Sequence, residues 1–357
     1  MIVAGASVQG TGHLAAGQDC QDAFRAADLG DAVVLAVADG AGSRERSALG
    51  AHLAVDTACR VLAAEIPGPH EPPAAWTGWA AARGARLVAD HLRAVEGILR
   101  AAGPPARSGR AEPPEPAGLP GTLPQPSRVP GTLPQPSGLP EASPGPATLP
   151  VDTGALAATV AAAVLRPPWV VFVAVGDCFG TVLTRGAAEP EPPIAPDGRF
   201  PERSGPPTES PVPPTESPVP QPESPVPPPG SGGPPPGAAE RCHLVLPPPG
   251  PGGPGPVFLS SPGAALRVRS FAVWEPELTG VVLATDGCTA LTLDHPSARA
   301  LPPQAGPLPS ERFFCGLAAT LRANGGDAEP LRALLSGPEA ARTGDDLTVL
   351  CALTDGW

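Results

Sequence analysis

Two Asp-Gly pairs each close a short apolar run, and a pair of aspartates opens a third. Ala32 to Ala38 ends at Asp39-Gly40, Val281 to Ala284 ends through Thr285 at Asp286-Gly287, and Asp345-Asp346 leads into Leu347 to Leu353. Short β-branched runs of this kind read as buried strands. Strands that lie side by side bring their terminal carboxylates to one sheet edge. Carboxylates gathered there disfavour one another's charge unless cations compensate. Hard oxygen donors of this type suit Mg²⁺ or Mn²⁺. Asp-Gly is also a common tight-turn dipeptide, so either pair alone reads better as a turn, and only both pairs with Asp345 in this order favour a metal site.

The elements needed to place these residues are legible as patterns. Ile2 to Val8 reads as a first strand, residues 9–24 as a loop ending in Cys20-Gln21-Asp22-Ala23-Phe24, and 32–38 as a second strand. Apolar spacings of three and four predict a helix over 47–64 and a second over 74–99. Ala157 to Leu165 and Trp169 to Val175 read as an antiparallel pair turned by Pro167-Pro168, and Thr181 to Thr184 as a further strand. The stretch 242–246 is a candidate strand, as are 257–260, 266–273 and the run ending at Asp286. Helices are expected over 312–322 and 328–335, then a last strand over 347–353. Helices segregated from strands, not alternating with them, define an α+β protein.

Of the 56 prolines, 15 fall in residues 104–150 and 26 in 187–257. The heptapeptide at 121–127 recurs at 131–137, and that at 207–213 recurs at 214–220. Such proline density predicts disordered insertions with polyproline II character, with a possible short strand at 242–246. What remains is the size of one ordinary domain, so the chain is read as a single domain over 1–357 carrying two insertions. Their Pro-x-x-Pro spacings suit either a solvated spacer or a partner with an SH3- or WW-like groove.

The formal charge is −12, and all 23 cationic residues are arginine. That balance argues against a general nucleic-acid binder. Seven cysteines without a C-x-x-C pair fit neither a disulfide framework nor a zinc site. No apolar run reaches membrane-spanning length and the N-terminus lacks a signal-peptide pattern; a cytoplasmic setting with no membrane partner is expected.

Five segments, in order, resemble the metal-dependent protein phosphatases of type 2C (the PPM family) in their bacterial form. They are Cys20-Gln21-Asp22-Ala23-Phe24, Val37-Ala38-Asp39-Gly40-Ala41-Gly42-Ser43, Val175-Gly176-Asp177, Ala284-Thr285-Asp286-Gly287 and Gly344-Asp345-Asp346-Leu347-Thr348. The resemblance implies a four-layer α-β-β-α sandwich of two antiparallel sheets flanked by helices. It implies a serine/threonine phosphatase acting on phosphoproteins through a water bridging two Mg or Mn ions. By the same resemblance Asp39 bridges both ions, Gly40 offers its carbonyl, and Asp286 and Asp345 hold the first ion, with Asp346 as the neighbouring alternative to Asp345. Asp22 positions the water, and Gln21 and Asp177 support the site from behind, Asp177 with a turn role as the alternative.

The sequence departs from the family pattern in places. Gly17 stands where many members carry a phosphate-gripping arginine, and Gln21 replaces a common glutamate. His13 is the candidate substrate-phosphate contact, a solvated loop histidine being the alternative. Asp152 lies near the segment that supplies a third-metal carboxylate in bacterial members, two positions out of register. These departures motivate a second reading, a catalytically weak or inactive pseudophosphatase that binds phosphoproteins as a regulator.

Overall fold

The computed structural model describes residues 1–102, 152–186, 240–249, 255 and 257–354. In chain order the elements are β1 (Ile2–Val8), α1 (Thr11–Ala16), β2 (Asp22–Asp28), β3 (Val33–Asp39), α2 (Ser47–Leu62) and α3 (Pro73–Ala102). Then come β4 (Val160–Arg166), β5 (Trp169–Val175), β6 (Phe179–Arg185), β7 (Glu240–Leu246), β8 (Arg269–Trp274) and β9 (Leu278–Ala284). α4 (Thr289–Thr292), β10 (Leu293–Asp294), β11 (Leu308–Pro309), α5 (Glu311–Ala323), α6 (Glu329–Leu335) and β12 (Leu347–Leu353) complete the chain. The Pro-rich stretches expected at 104–150 and 187–257 fall largely outside the described residues, and their expected disorder with them.

Two antiparallel five-stranded sheets, ordered β1-β12-β9-β6-β7 and β2-β3-β4-β5-β8, lie face to face; β10 and β11 form a separate two-stranded ladder. β3 explains why its sequence is apolar without alternation. Val33, Leu35 and Val37 face the first sheet, packing in one cluster with Val182, Leu283 and Leu350 across the interface and with Phe172 of their own sheet. Val34, Ala36 and Ala38 face α2 and α3 on the other side. A strand covered on both faces needs apolar residues at every position. Fully burying a side chain of the size of Leu or Phe contributes roughly 1.5–3 kcal/mol, and Leu35 and Phe172 are both inaccessible. Trp76 of α3 stacks on Trp169 of β5 with centroids 5.3 Å apart, which fixes the helix across its sheet. The outer face of the first sheet is covered by α5 and α6 through Phe314, Leu317, Leu321, Leu331 and Leu335. The result is α+β, with layers in the order α-β-β-α. Among the described residues no helix is long and apolar enough to cross a membrane.

Three local expectations change. The loop expected over 9–24 contains α1, whose six residues bury nothing, so no apolar period marked it, and it gives way at Asp22 to β2, an unexpected strand whose mostly exposed residues carry no apolar run. Residues 257–260 are not a strand; Leu259 instead donates its N–H to Ala158 O at 2.9 Å and is buried singly. The strand expected from Leu266 begins only at Arg269, after a 3₁₀ turn over Ala264–Arg267.

Candidate metal centre

The site lies where strand ends of both sheets meet. β2 and β3 pair so that Asp22 and Asp39 stand directly opposite one another. β3 is then held past its end: Thr159 N donates to Asp39 O at 2.8 Å and Gly40 N to Gln21 O at 3.0 Å. Gly40 has a packing reason to lack a side chain, because a Cβ there would stand 2.6 Å from Ser47 O at the start of α2. From the other sheet, Asp286 follows β9 and opens a 3₁₀ turn over Asp286–Cys288.

Asp177 comes from the corner between β5 and β6, where the chain leaves one sheet for the other. Gly176 takes φ +104° there, and a Cβ would stand 2.5 Å from Thr159 Cβ and Cγ2. This corner delivers Asp177 to the same place as the two Asp-Gly aspartates. One carboxylate oxygen from each of Asp39, Asp177 and Asp286 lies within 4.8 Å of the others. Asp345 is adjacent to this trio without being part of it. Its Oδ1 accepts the Asp346 N–H at 2.9 Å, and its charge bears on Asp39, Asp177 and Asp286 alike.

Crowding and burial act together on these groups. Desolvation raises Asp39 strongly, and Asp22, Asp286, Asp345 and Asp177 add to the rise in that order. Asp286 is pushed up to about 6 by burial first, then by Asp177 and Asp345. Asp22, 5% exposed, is raised by burial although hydroxyls of Thr285 and Thr348 favour its charge. Thr285 Oγ donates to Asp22 Oδ2 at 2.8 Å and accepts from Thr348 N at 3.1 Å, which ties Asp22 to the strands carrying Asp286 and Asp345. Asp177 is raised by burial, with Arg269 opposing.

The remaining predicted residues sit beside the cluster. Asp346 is 2% exposed and faces the other way: Oδ1 accepts from Gly10 N at 2.7 Å and Oδ2 from Gln21 N at 2.5 Å. It therefore fastens the start of β12 to the segment before β2. His13 Nδ1 lies 2.9 Å from Asp346 Oδ2, out of line for a hydrogen bond, while Nε2 is 3.9 Å from the point a Cβ on Gly42 would occupy. The Gln21 side chain is turned toward α2, where Oε1 accepts from Ser47 Oγ at 2.8 Å. Asp152 is exposed and accepts from Gly154 N at 3.0 Å, capping the start of a 3₁₀ turn over Thr153–Leu156 instead of joining the cluster. Sequence reasoning passed over Thr285 and Thr348, although both lie inside quoted motifs, and over Thr159 and Arg269, which carry no motif at all.

Residues 9–200 match the family model described as protein phosphatase 2C. With more than half of its length matched, the chain belongs to the protein phosphatase 2C family, whose members are serine/threonine phosphatases that use divalent metals. Among solved structures it is similar to a bacterial serine phosphatase, with 10% identity over 100% of this chain and 99% of that one and a TM-score of 0.44. It is similar to the serine/threonine phosphatase Stp1 of Staphylococcus aureus, at 10% identity over 100% and 96% of the two chains and a TM-score of 0.42. A third is PppA, a regulatory component of T6SS in Pseudomonas aeruginosa, at 13% identity over 98% and 95% and a TM-score of 0.43. No curated protein matches the sequence.

Proposed function

We propose that this protein is a metal-dependent protein serine/threonine phosphatase that hydrolyses phosphoserine and phosphothreonine with two Mg or Mn ions. The observation that carries the reading is the gathering of Asp39, Asp177 and Asp286 oxygens within 4.8 Å, with Asp22 opposite Asp39 and Asp345 alongside. The donor set fits the ions. Every charged donor is a hard carboxylate oxygen, and burial with neighbouring carboxylates holds Asp39 and Asp286 above their ordinary range, an imbalance that divalent cations relieve.

Asp39 at the end of β3, the Gly40 carbonyl, Asp286 and Asp345 are the residues we assign to hold the ions. When bound, the ions supply positive charge against the phosphoryl oxygens and make a water acidic enough to attack phosphorus. The chain's own groups do the rest. Asp22, anchored by Thr285 at 2.8 Å, accepts a hydrogen bond from the attacking water and orients it in line. His13, beside the Gly42 loop, meets the substrate phosphate. Asp346 and Gln21 hold the segment bearing Asp22 against β12 and α2. No covalent phosphoenzyme is needed. We further read 1–357 as one phosphatase-like domain in the cytoplasm, with the Pro-rich stretches 104–150 and 187–257 as insertions.

One observation favours the second reading, a pseudophosphatase that binds phosphoproteins without turnover. Among the described residues, the cation whose charge bears on Asp177 is Arg269, and its guanidinium is engaged by backbone carbonyls, so this arginine is not free to grip phosphate. Side-by-side assays of phosphoserine, phosphothreonine and phosphotyrosine peptides, in Mn²⁺ and in chelator, separate the two. Phosphatase action predicts Mn²⁺-dependent release from the first two. Peptide binding without release at saturating Mn²⁺ would establish the binder instead.

A further inference from the structure

Arg269 opens β8, the edge strand of the second sheet, in register with Ala174 of β5. Its side chain reaches away from its own strand's ladder. Nη2 donates to Gly176 O at 2.9 Å and to Cys178 O at 3.4 Å, and Nη1 donates to Pro247 O at 2.6 Å, just beyond the end of β7. One guanidinium thus collects the carbonyls on both sides of Asp177 and a carbonyl from the end of the other sheet. Asp177 Oδ1 is buried and has no hydrogen-bond partner among the described residues. The same corner is tied to the metal-facing strand, since Cys178 Sγ lies 3.3 Å from Thr159 Oγ1, which lies 3.3 Å from the backbone N and O of Asp39.

We propose that Arg269 is a positioning residue of the metal centre, fastening the Gly176–Asp177–Cys178 corner so that Asp177 stands with Asp39 and Asp286 as a third carboxylate toward the divalent cations. This rests on the reading of the cluster as a cation site. The choice of arginine follows from geometry. A planar fork with five N–H donors serves three carbonyls in fixed directions, whereas a lysine ammonium keeps the charge but not the fork. The corner needs such a clamp because it turns from one sheet to the other through a glycine at φ +104°, and among the described residues no group hydrogen-bonds Oδ1 to orient it directly. Groups that orient ligands from behind are worth about 10- to 100-fold in metal affinity.

The test measures Mn²⁺ binding to the full chain by titration calorimetry and by EPR of free Mn²⁺, for wild type, Asp177→Asn, Arg269→Lys, the double variant, and Asp39→Asn as a control. Asp177→Asn and Arg269→Lys are each expected to weaken binding about tenfold or more, with cooperative unfolding retained. The double variant is expected to bind no more weakly than Asp177→Asn, because Arg269 acts through Asp177. A role in stability alone would lower the melting temperature and leave the Mn²⁺ affinity of the folded protein untouched, which overturns the proposal. Asp177→Asn binding as tightly as wild type, or an undiminished Arg269→Lys effect in the Asp177→Asn background, overturns it equally. Wild type that binds no Mn²⁺ would instead remove the cation site itself, and with it the functional reading.

Discussion

Asp286→Asn should make the metal-free protein more stable, and the gain should grow with pH. Burial and neighbouring carboxylates move Asp286 from the ordinary 3.8 to about 6. A raised carboxyl pKa means the folded state holds its proton longer than the unfolded chain. The resulting penalty is absent below the unfolded pKa, builds between about 4 and 6, and is complete above the folded pKa. At 1.36 kcal/mol per pKa unit it is roughly 1.6 kcal/mol at pH 5 and about 3 kcal/mol at pH 8. The amide removes the charge at nearly constant shape. Urea unfolding in chelator at pH 5 and pH 8, wild type against variant, should therefore give a stability difference that rises by about 1.4 kcal/mol between the two. Added Mn²⁺ should reverse the order, since a ligand bound only by the folded state at about 1,000 times its Kd contributes about 4.1 kcal/mol, and the variant forfeits it. A variant no more stable than wild type at pH 8 without metal, or one equally stabilised by Mn²⁺, would refute the reasoning that strained carboxylates await cations.

Three further outcomes follow from single residues. His91 is fully buried, neither ring nitrogen has a hydrogen-bond partner among the described residues, and burial depresses it to about 4 from the ordinary 6.5. It therefore costs nothing above about 6.5 and progressively more as pH falls toward 4, so His91→Leu should flatten the acid loss of stability by about 3 kcal/mol, read from urea midpoints between pH 7 and pH 4. Gly176→Ala should destabilise by about 1–3 kcal/mol from the positive φ alone, more with the Thr159 collision, and calorimetric melting would expose an error if the melting temperature did not move. His13→Ala should raise KM for a phosphopeptide about tenfold while Mn²⁺ affinity holds; unchanged KM would make it a solvated loop histidine.

Much of the framework was legible because of how the strands are buried. β5 and β12 run over the same residues in sequence pattern and in structure, since strands covered on both faces leave unbroken apolar runs, and the half-buried edge strand β1 keeps its expected bounds as well. α2, bounded by a polar Arg44–Arg46 stretch and carrying a three-four apolar period, was equally plain. α1 was hidden because it buries nothing. The passage of β6 into the opposite sheet was hidden because Gly176 reads the same as a turn within one sheet. That exchange matters at the cluster. The sequence placed Asp39 and Asp286 at strand ends and, by resemblance, Asp177 behind them, but its standing beside them follows only from the corner that bridges the sheets. Arg269 was illegible for a related reason: its partners are backbone carbonyls, and these leave no trace in residue identity.

The central claim is that buried carboxylates from two sheets act as one divalent-cation site for phosphoester hydrolysis. Phosphate release from a phosphothreonine peptide, measured against Mn²⁺ concentration for wild type and Asp39→Asn, tests it most directly. The account predicts saturable Mn²⁺-dependent release by wild type, none in chelator, and a loss of at least a hundredfold on Asp39→Asn, about 2.7 kcal/mol in transition-state stabilisation. Release that is indifferent to Mn²⁺, or an Asp39→Asn protein as active as wild type, would contradict it.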